Sequence, residues 1–264
     1  MIGELAMRVG EAWATAAALQ LVLWLVQQRT KNAGIVDVGW AGSFAVIVAL
    51  DAARATAPVE AWAPIAIVVA AWSVRLTGYL IARGAARSPE EGRYVDLRAR
   101  WGARASRRFF VFFQAQGALS GLLSAAFVVP FVAVPEHGAL VYAGAAVSAL
   151  GVLGETIADA QLARWRRDPA NKGRVCDAGL WSWSRHPNYF FEWCVWLGYA
   201  VYGCGFALPY GAIALVPQGL LLCSILFVTG IPPTEMQSIR SRGDLYRAYQ
   251  ARVSKFVPWP PKRS

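Results

Sequence analysis

Apolar residues fall in long uninterrupted runs along this chain, with no alternation of apolar and polar positions at the period of a strand. Seven runs approach the length that crosses about 30 Å of hydrocarbon at about 1.5 Å per residue. They extend over Ala12–Val26, Ile35–Ala53, Trp62–Ala82, Phe109–Val134, Ala139–Ala160, Tyr189–Phe206 and Ile213–Gly230. The pattern predicts an all-α polytopic membrane protein of seven transmembrane helices. No basic segment precedes the first run and no small-residue cleavage site follows it, so it reads as a retained helix. No compositional shift or flexible linker divides the sequence, and a single domain over 1–264 is expected.

Polar stretches between the runs carry further information. Pro89-Glu90-Glu91 after Ser88 has the form of a helix start and opens a basic amphipathic segment reaching Arg108. Thr234–Gln250 reads as one further helix, ended by the prolines from Pro258 to Pro261.

Composition strengthens the membrane reading: 56% of the 264 residues are apolar and the mean hydropathy is +0.38, against about 45–50% apolar in soluble domains. The net charge of +10 reports topology, because the cations cluster between alternate helices and form no stripe for nucleic acid. Arg29 and Lys31 follow the first run; eight Arg lie from Arg83 to Arg108; six Lys or Arg lie from Arg164 to Arg185; seven lie from Arg240 onward. The intervening connections are nearly free of them. An N-terminus outside and a C-terminus in the cytosol follow, in the cytoplasmic membrane if the source is bacterial. Loops 83–108 and 161–187 and the tail 231–264 are then cytosolic, and their length and polar content place function there. Cys176, Cys194, Cys204 and Cys223 have neither disulfide nor zinc spacing, and no metal site is expected.

Ionisable residues at membrane depth are costly and need a reason to persist. Asp37, Arg75, Glu155, Asp159 and Glu192 are of this kind, the alternative being that some sit at helix ends and reach water. A second constellation is Ser184-Arg185-His186-Pro187-Asn188-Tyr189 with Glu192 and Trp193. Pro187 opens a helix whose free N–H groups, beside Arg185 and His186, suit a phosphate; Asn188 and Glu192 share one face and suit a heterocycle or ribose. The competing reading is an interfacial anchor with Tyr189 and Trp193 at headgroup level. The third is the tail, where Thr234-Glu235, Ser241-Arg242-Gly243, Tyr246, Tyr249-Gln250 and Phe256-Val257-Pro258 interleave polar and aromatic residues with cations, as a cofactor clamp does and a polybasic anchor does not. No G-x-G-x-x-G follows a strand, which excludes a Rossmann site.

Arg185-His186-Pro187-Asn188-Tyr189 with Glu192, and the tail from Thr234-Glu235 through Tyr246 and Tyr249 to Phe256-Val257-Pro258, resemble the steroid 5α-reductase superfamily, above all its bacterial membrane homologues. Val36-Asp37 with Trp40, Arg75 and Glu91-Gly92-Arg93-Tyr94 extend the likeness over nearly the whole chain. The resemblance implies seven helices around an NADPH-holding cavity and reduction of the C4–C5 double bond of a 3-oxo-Δ4 steroid or a similar apolar enone. It implies that Asp159, Arg166, Arg174, Asn188 and Glu192 contact the cofactor. It also implies that Arg185, His186, Glu235, Arg242 and Tyr246 surround its phosphates or adenosine, with Arg75, Arg93 and Tyr189 in the same cofactor-binding set. The sequence departs from the family's substrate-facing glutamate and tyrosine: Asp37 and Trp40 stand near the first position and Trp72 at the second, leaving Asp37, Trp40, Tyr79 and Tyr94 as catalytic candidates. Membrane lipid and a steroid-like small molecule are the expected partners, with no nucleic acid and no obligate protein partner. Two other readings stay open: an isoprenylcysteine-carboxyl-methyltransferase-like enzyme using S-adenosylmethionine, which shares an R-H-P-x-Y motif, and a non-enzymatic lipid-binding or transport protein.

Overall fold

A computed structural model describes every residue except Ser88, Glu91, Arg263 and Ser264. Among the described residues the chain is all-helical, without a strand; one isolated bridge pairs Ser184 with Ser254. Ten α-helices follow one another: α1 Ile2–Thr30, α2 Ile35–Ala53, α3 Val59–Arg83, α4 Gly92–Trp101, α5 Ala105–Ser124, α6 Gly138–Arg167, α7 Pro187–Gly203, α8 Leu215–Cys223, α9 Ile231–Arg242 and α10 Asp244–Arg252. α8 continues as a π-helical turn, Ser224–Val228. Among the described residues, five helical stretches are long and apolar enough to cross a membrane: α1, α2, α3, α6 and the run Gly211–Arg242.

The two remaining apolar runs fold as α5 and α7. α7 has 17 residues, and α5 carries Arg107, Arg108, Gln114 and Gln116. The run expected to reach Val134 leaves α5 at Ser124 and turns through a 3-10 segment, Val129–Phe131, whose Pro130 cannot continue an α-helix. The single tail helix expected over Thr234–Gln250 is two helices, α9 and α10, because Gly243 (φ 53°, ψ −125°) breaks the ladder between them. In the first basic segment the described helix is Gly92–Trp101, and Pro89 and Glu90 are not helical; Ser88 and Glu91 of the expected start lie outside the described residues.

The chain divides into two compact units. The first comprises Met1–Tyr142 and Tyr202–Pro217. Here α1 packs against α5 at backbone range: a Cβ on Gly121 would lie 2.6 Å from Trp13 Cβ, and one on Gly117 3.0 Å from Ala17 Cα. With lipid on the outside there is no hydrophobic drive between apolar helices, so such close van der Waals approach and buried hydrogen bonds hold them. Ser43 Oγ donates to Ser120 Oγ (3.0 Å), Ser73 Oγ to Ala41 O (2.5 Å) and Tyr202 Oη to Ala61 O (2.8 Å). At one end Arg8 and Asp51, both buried, pair at 3.2 Å.

At the opposite end the α1–α2 turn is clasped by α4 and the chain before it. Lys31 takes the left-handed conformation (φ 54°), Asn32 Nδ2 donates to Arg87 O (2.6 Å), and the Ala33 N–H donates to Glu90 Oε1 (2.7 Å). Arg98 holds both Glu90 oxygens, at 3.0 and 2.8 Å. Burial pushes the Glu90 carboxyl up, but the hydrogen bonds from Arg98 and Ala33 and the Arg98 charge outweigh it, and its pKa lies below the usual value.

The second unit comprises Ala143–Val201 and Gln218–Ser264. α6 and α7 meet through small residues: a Cβ on Gly154 would lie 2.2 Å from Phe191 Cδ1, and one on Gly198 2.1 Å from Ser148 Oγ. Ser148 Oγ donates to Val195 O (2.9 Å). Phe190, Trp193, Ile225, Ile231 and Phe256 form an apolar cluster binding the π-turn and the start of α9 to α7 and the tail.

Candidate functional site

The strip before α7 and the tail lie side by side in the second unit. The Arg185 N–H donates to Ser254 O (2.8 Å), Ser184 Oγ to Phe256 O (2.7 Å) and the Trp259 N–H to Trp183 O (2.9 Å). Tyr249 Oη reaches Trp181 O at 2.5 Å. This backbone pairing brings the R-H-P-N-Y motif against Glu235 of α9, some fifty residues away in sequence.

The Glu235 carboxylate is the hub. Its Oε1 accepts from Arg185 Nε (2.7 Å), His186 Nε2 (3.2 Å) and Tyr246 Oη (3.4 Å), and its Oε2 from Gln250 Nε2 (2.8 Å). Arg185 also donates from Nη1 to Gln250 O and Val253 O, at 3.0 and 2.8 Å. Two of its three nitrogens are thus bonded within the protein and its charge faces a carboxylate. His186 is 3% exposed. Burial holds its pKa below the usual imidazole value, against the opposing bond and charge of Glu235. A carboxylate only accepts, so Nε2 carries the hydrogen. Burial, then the Glu235 charge, pushes the Tyr246 hydroxyl pKa up. Tyr189 stacks on His186 (5.5 Å between centroids, 6° between planes) and its hydroxyl lies 3.4 Å from Thr234 Oγ1.

The cations available to an external anion lie elsewhere in this unit. Where α6 ends, Arg166, Arg167, Lys172, Arg174 and Arg242 line a recess of about 280 Å³ with Trp165, Asp168, Pro169, Asn171 and Gly173. Asp168 is the one acid in that lining and its Oδ1 caps the following turn, accepting from the Ala170 N–H at 2.9 Å. Arg242 Nε donates to Arg174 O (3.0 Å), which fixes the tail's contribution to the wall. A second recess of about 390 Å³ shares Trp165, Asp168 and Asn171 and adds Gln161, Arg164, Cys176, Ala178 and Gly179. The Trp165 indole Nε1 is buried and has no hydrogen-bond acceptor among the described residues. Further along α6, buried Asp159 accepts from Asn188 Nδ2 at 3.4 Å; Glu192 stands one turn beyond Asn188 on α7.

In the first unit, Asp37 at the start of α2 meets α4. Tyr94 Oη donates to Oδ1 and Oδ2 of Asp37, each at 3.0 Å, and Arg93 Nη2 donates to Oδ2 while its guanidinium lies 4.6 Å from the Tyr94 ring centroid. Both oxygens of Asp37 thus accept hydrogen bonds from α4, one of them from a guanidinium. Trp40, one turn on, packs edge-on against Phe44 and Trp72; its Nε1 is buried without an acceptor among the described residues. Arg75 and Tyr79 lie half-buried one turn apart on α3.

A family model described as Protein of unknown function (DUF1295) matches residues 23–253. The chain belongs to that family. All the polar clusters described above fall within the matched stretch. An uncharacterized protein of Schizosaccharomyces pombe is 31% identical over 103 residues, covering 36% of this chain and 27% of that protein. The match thus spans about a quarter of the relative's length. No solved structure matches.

Of the residues singled out from sequence, the structure brings Arg185, His186, Glu235 and Tyr246 into one cluster, Arg166, Arg174 and Arg242 into a second, Asp159 with Asn188 into a third, and Asp37, Arg93 and Tyr94 into a fourth. Arg167, Lys172 and Trp165 join these clusters without having been singled out as site residues, and Gln250, read from sequence only as part of the tail's polar and aromatic run, joins the first. The basic run from Arg164 to Arg174 was visible as charge, but which of its members face one recess depends on the turn at Asp168-Pro169 and on Arg242 from the tail.

Proposed function

We propose that this chain is a seven-span membrane reductase of the steroid 5α-reductase type, with its basic loops in the cytosol, that uses NADPH to reduce an apolar enone such as a 3-oxo-Δ4 steroid. The observation that carries the reading is the recess at the end of α6, where five cations surround one capped carboxylate. Such a wall fits a ligand bearing several phosphates. The adjoining recess, with the Gln161 and Asn171 amides and the orphaned Trp165 N–H, fits a purine nucleoside. S-adenosylmethionine, which has a sulfonium cation and no phosphate, matches this wall poorly.

Arg166, Arg167, Lys172, Arg174 and Arg242 would hold the phosphates, and Asn188 with Asp159 would meet the carboxamide end. The Arg185–Glu235 pair would act by fastening the tail, so that Arg242 stays in the wall. When bound, the dinucleotide supplies a hydride to the β-carbon of the enone; a proton from solvent completes the reduction at the α-carbon. The chain's own part is to stabilise negative charge on the carbonyl oxygen. Trp40 is the donor best suited, since its N–H has no acceptor among the described residues, whereas Asp37 accepts from Tyr94 and Arg93. A donor aimed at such an oxygen is worth about 3–4 kcal/mol.

The test is binding and turnover on the purified full chain in detergent. NADPH should bind more tightly than NADH or S-adenosylmethionine, Arg174→Gln and Arg242→Gln should weaken NADPH binding, and 3-oxo-Δ4 steroids should yield 5α products. Absence of NADPH binding would refute the reading; binding without turnover on any steroid would move the substrate to another enone.

A further inference from the structure

The first unit carries a cation cluster that the proposed reaction does not use. Arg29 and Lys31 end α1, and Arg100, Arg104, Arg107 and Arg108 run from α4 into α5; all six are exposed. α1 and α5 stand side by side at this height. Trp24 Nε1 donates to Ser106 O (3.2 Å), the Trp24 and Phe110 rings meet edge-on at 5.1 Å, and Arg98 Nη2 reaches Lys31 O at 3.3 Å. The Arg108 guanidinium sits 5.9 Å from the Trp101 ring centroid. Among the described acids of this end, Asp37 and Glu90 are bonded to Arg93 and Arg98, and Asp96 alone is exposed. The cluster is therefore close to uncompensated.

What lies along the same helix faces decides the kind of partner. Leu21 and Leu25 stand eight and four residues before Arg29, on one face of α1, and both are exposed (42% and 53%). Val111 stands three and four residues after Arg108 and Arg107 on α5, and is 61% exposed. Exposed apolar rows thus continue from the cations along both helices, with Trp24 and Phe110 between them. A soluble anion would use the cations only, and an apolar partner the rows only.

We infer that the α1–α5 face binds an anionic phospholipid, its phosphate on Arg29, Lys31, Arg107 and Arg108 and its acyl chains along the Leu21–Leu25 and Val111 rows. The ligand class follows from charge and apolar surface in series on the same helices, at a Trp-bearing boundary. The site shares no residue with the proposed cofactor recess and stands whether or not NADPH binds.

The full chain, purified in mixed micelles of equal phosphatidylglycerol and phosphatidylcholine, is examined by native mass spectrometry for retained lipid. Phosphatidylglycerol should be enriched severalfold over phosphatidylcholine, and Arg107→Gln with Arg108→Gln should reduce that retention by roughly tenfold, each surface cation contributing about fivefold or less. Arg247→Gln, an exposed cation of the second unit, should leave it unchanged, and glycerol phosphate, which has the headgroup charge but no chains, should not displace the lipid. Retention in the bulk ratio would overturn the proposal. So would equal loss in the Arg247 variant, or displacement by glycerol phosphate.

Discussion

Replacing Glu235 by Gln tests how the tail is held, and its size can be worked from the contacts. The wild-type carboxylate accepts four hydrogen bonds, one from Arg185, whose side chain is 10% exposed. Glu235→Gln keeps the shape but removes the charge, and it puts an NH₂ group where two acceptor lone pairs had been. One of the four donors loses its acceptor and the buried guanidinium loses its counter-charge. Breaking a buried pair by removing one partner costs about 3–5 kcal/mol. Glu235 is 14% exposed and Arg185 keeps two backbone carbonyls, so about 2–3 kcal/mol is the expected loss. For a chain of this size that is a fall of roughly 4–12 °C in Tm, read by thermal unfolding in detergent. The double variant with Arg185→Met should recover part of the loss, because the stranded cation goes with it. A Glu235→Gln protein melting within about 1 °C of wild type would show that the hub contributes nothing and refute the reasoning.

His186, its pKa lowered by burial, binds fewer protons folded than unfolded as pH falls below about 6.5. Its contribution to stability is therefore full above that pH and lost on descent toward the folded pKa. Melting at pH 7.5 and 5.5 should show a drop that His186→Gln diminishes, and an undiminished drop would locate the protons elsewhere. Gly154→Leu forces side-chain atoms onto the Phe191 ring, and overpacking of this kind costs about 1–3 kcal/mol; Tm should fall, with Gly219→Leu, where a Cβ meets nothing, as the neutral comparison. Trp40→Phe should keep NADPH affinity and lower kcat on an enone by roughly 10²–10³, the range for losing one such donor; unchanged kcat would exclude Trp40 as the donor to the carbonyl.

Much of the architecture is legible in the chain itself. Uninterrupted apolar runs permit only helices in lipid, because every backbone polar group must be satisfied within its own segment. That decides the helical class and the approximate place of each helix. Local chemistry also reads out where it is self-contained: Pro187 opens α7 and Gly243 marks a break, although the break was hidden inside a stretch whose polar pattern suited one long helix. Pro130 likewise ends a run that hydropathy alone carries on to Val134.

Partnership is what only the tertiary structure decided. Arg185 and His186 carry the charge and hydrogen-bonding groups of a phosphate site, and nothing local shows that Glu235 is the anion they hold. Asp37 reads equally well as a buried acid until Tyr94 and Arg93 are found on its oxygens. A side chain's state depends on the groups brought within about 3–4 Å of it, and those come from distant parts of the chain. Composition and the apolar runs therefore settle the helical class and roughly where each helix lies, while the choice among acceptor, donor and free cation waits on folding.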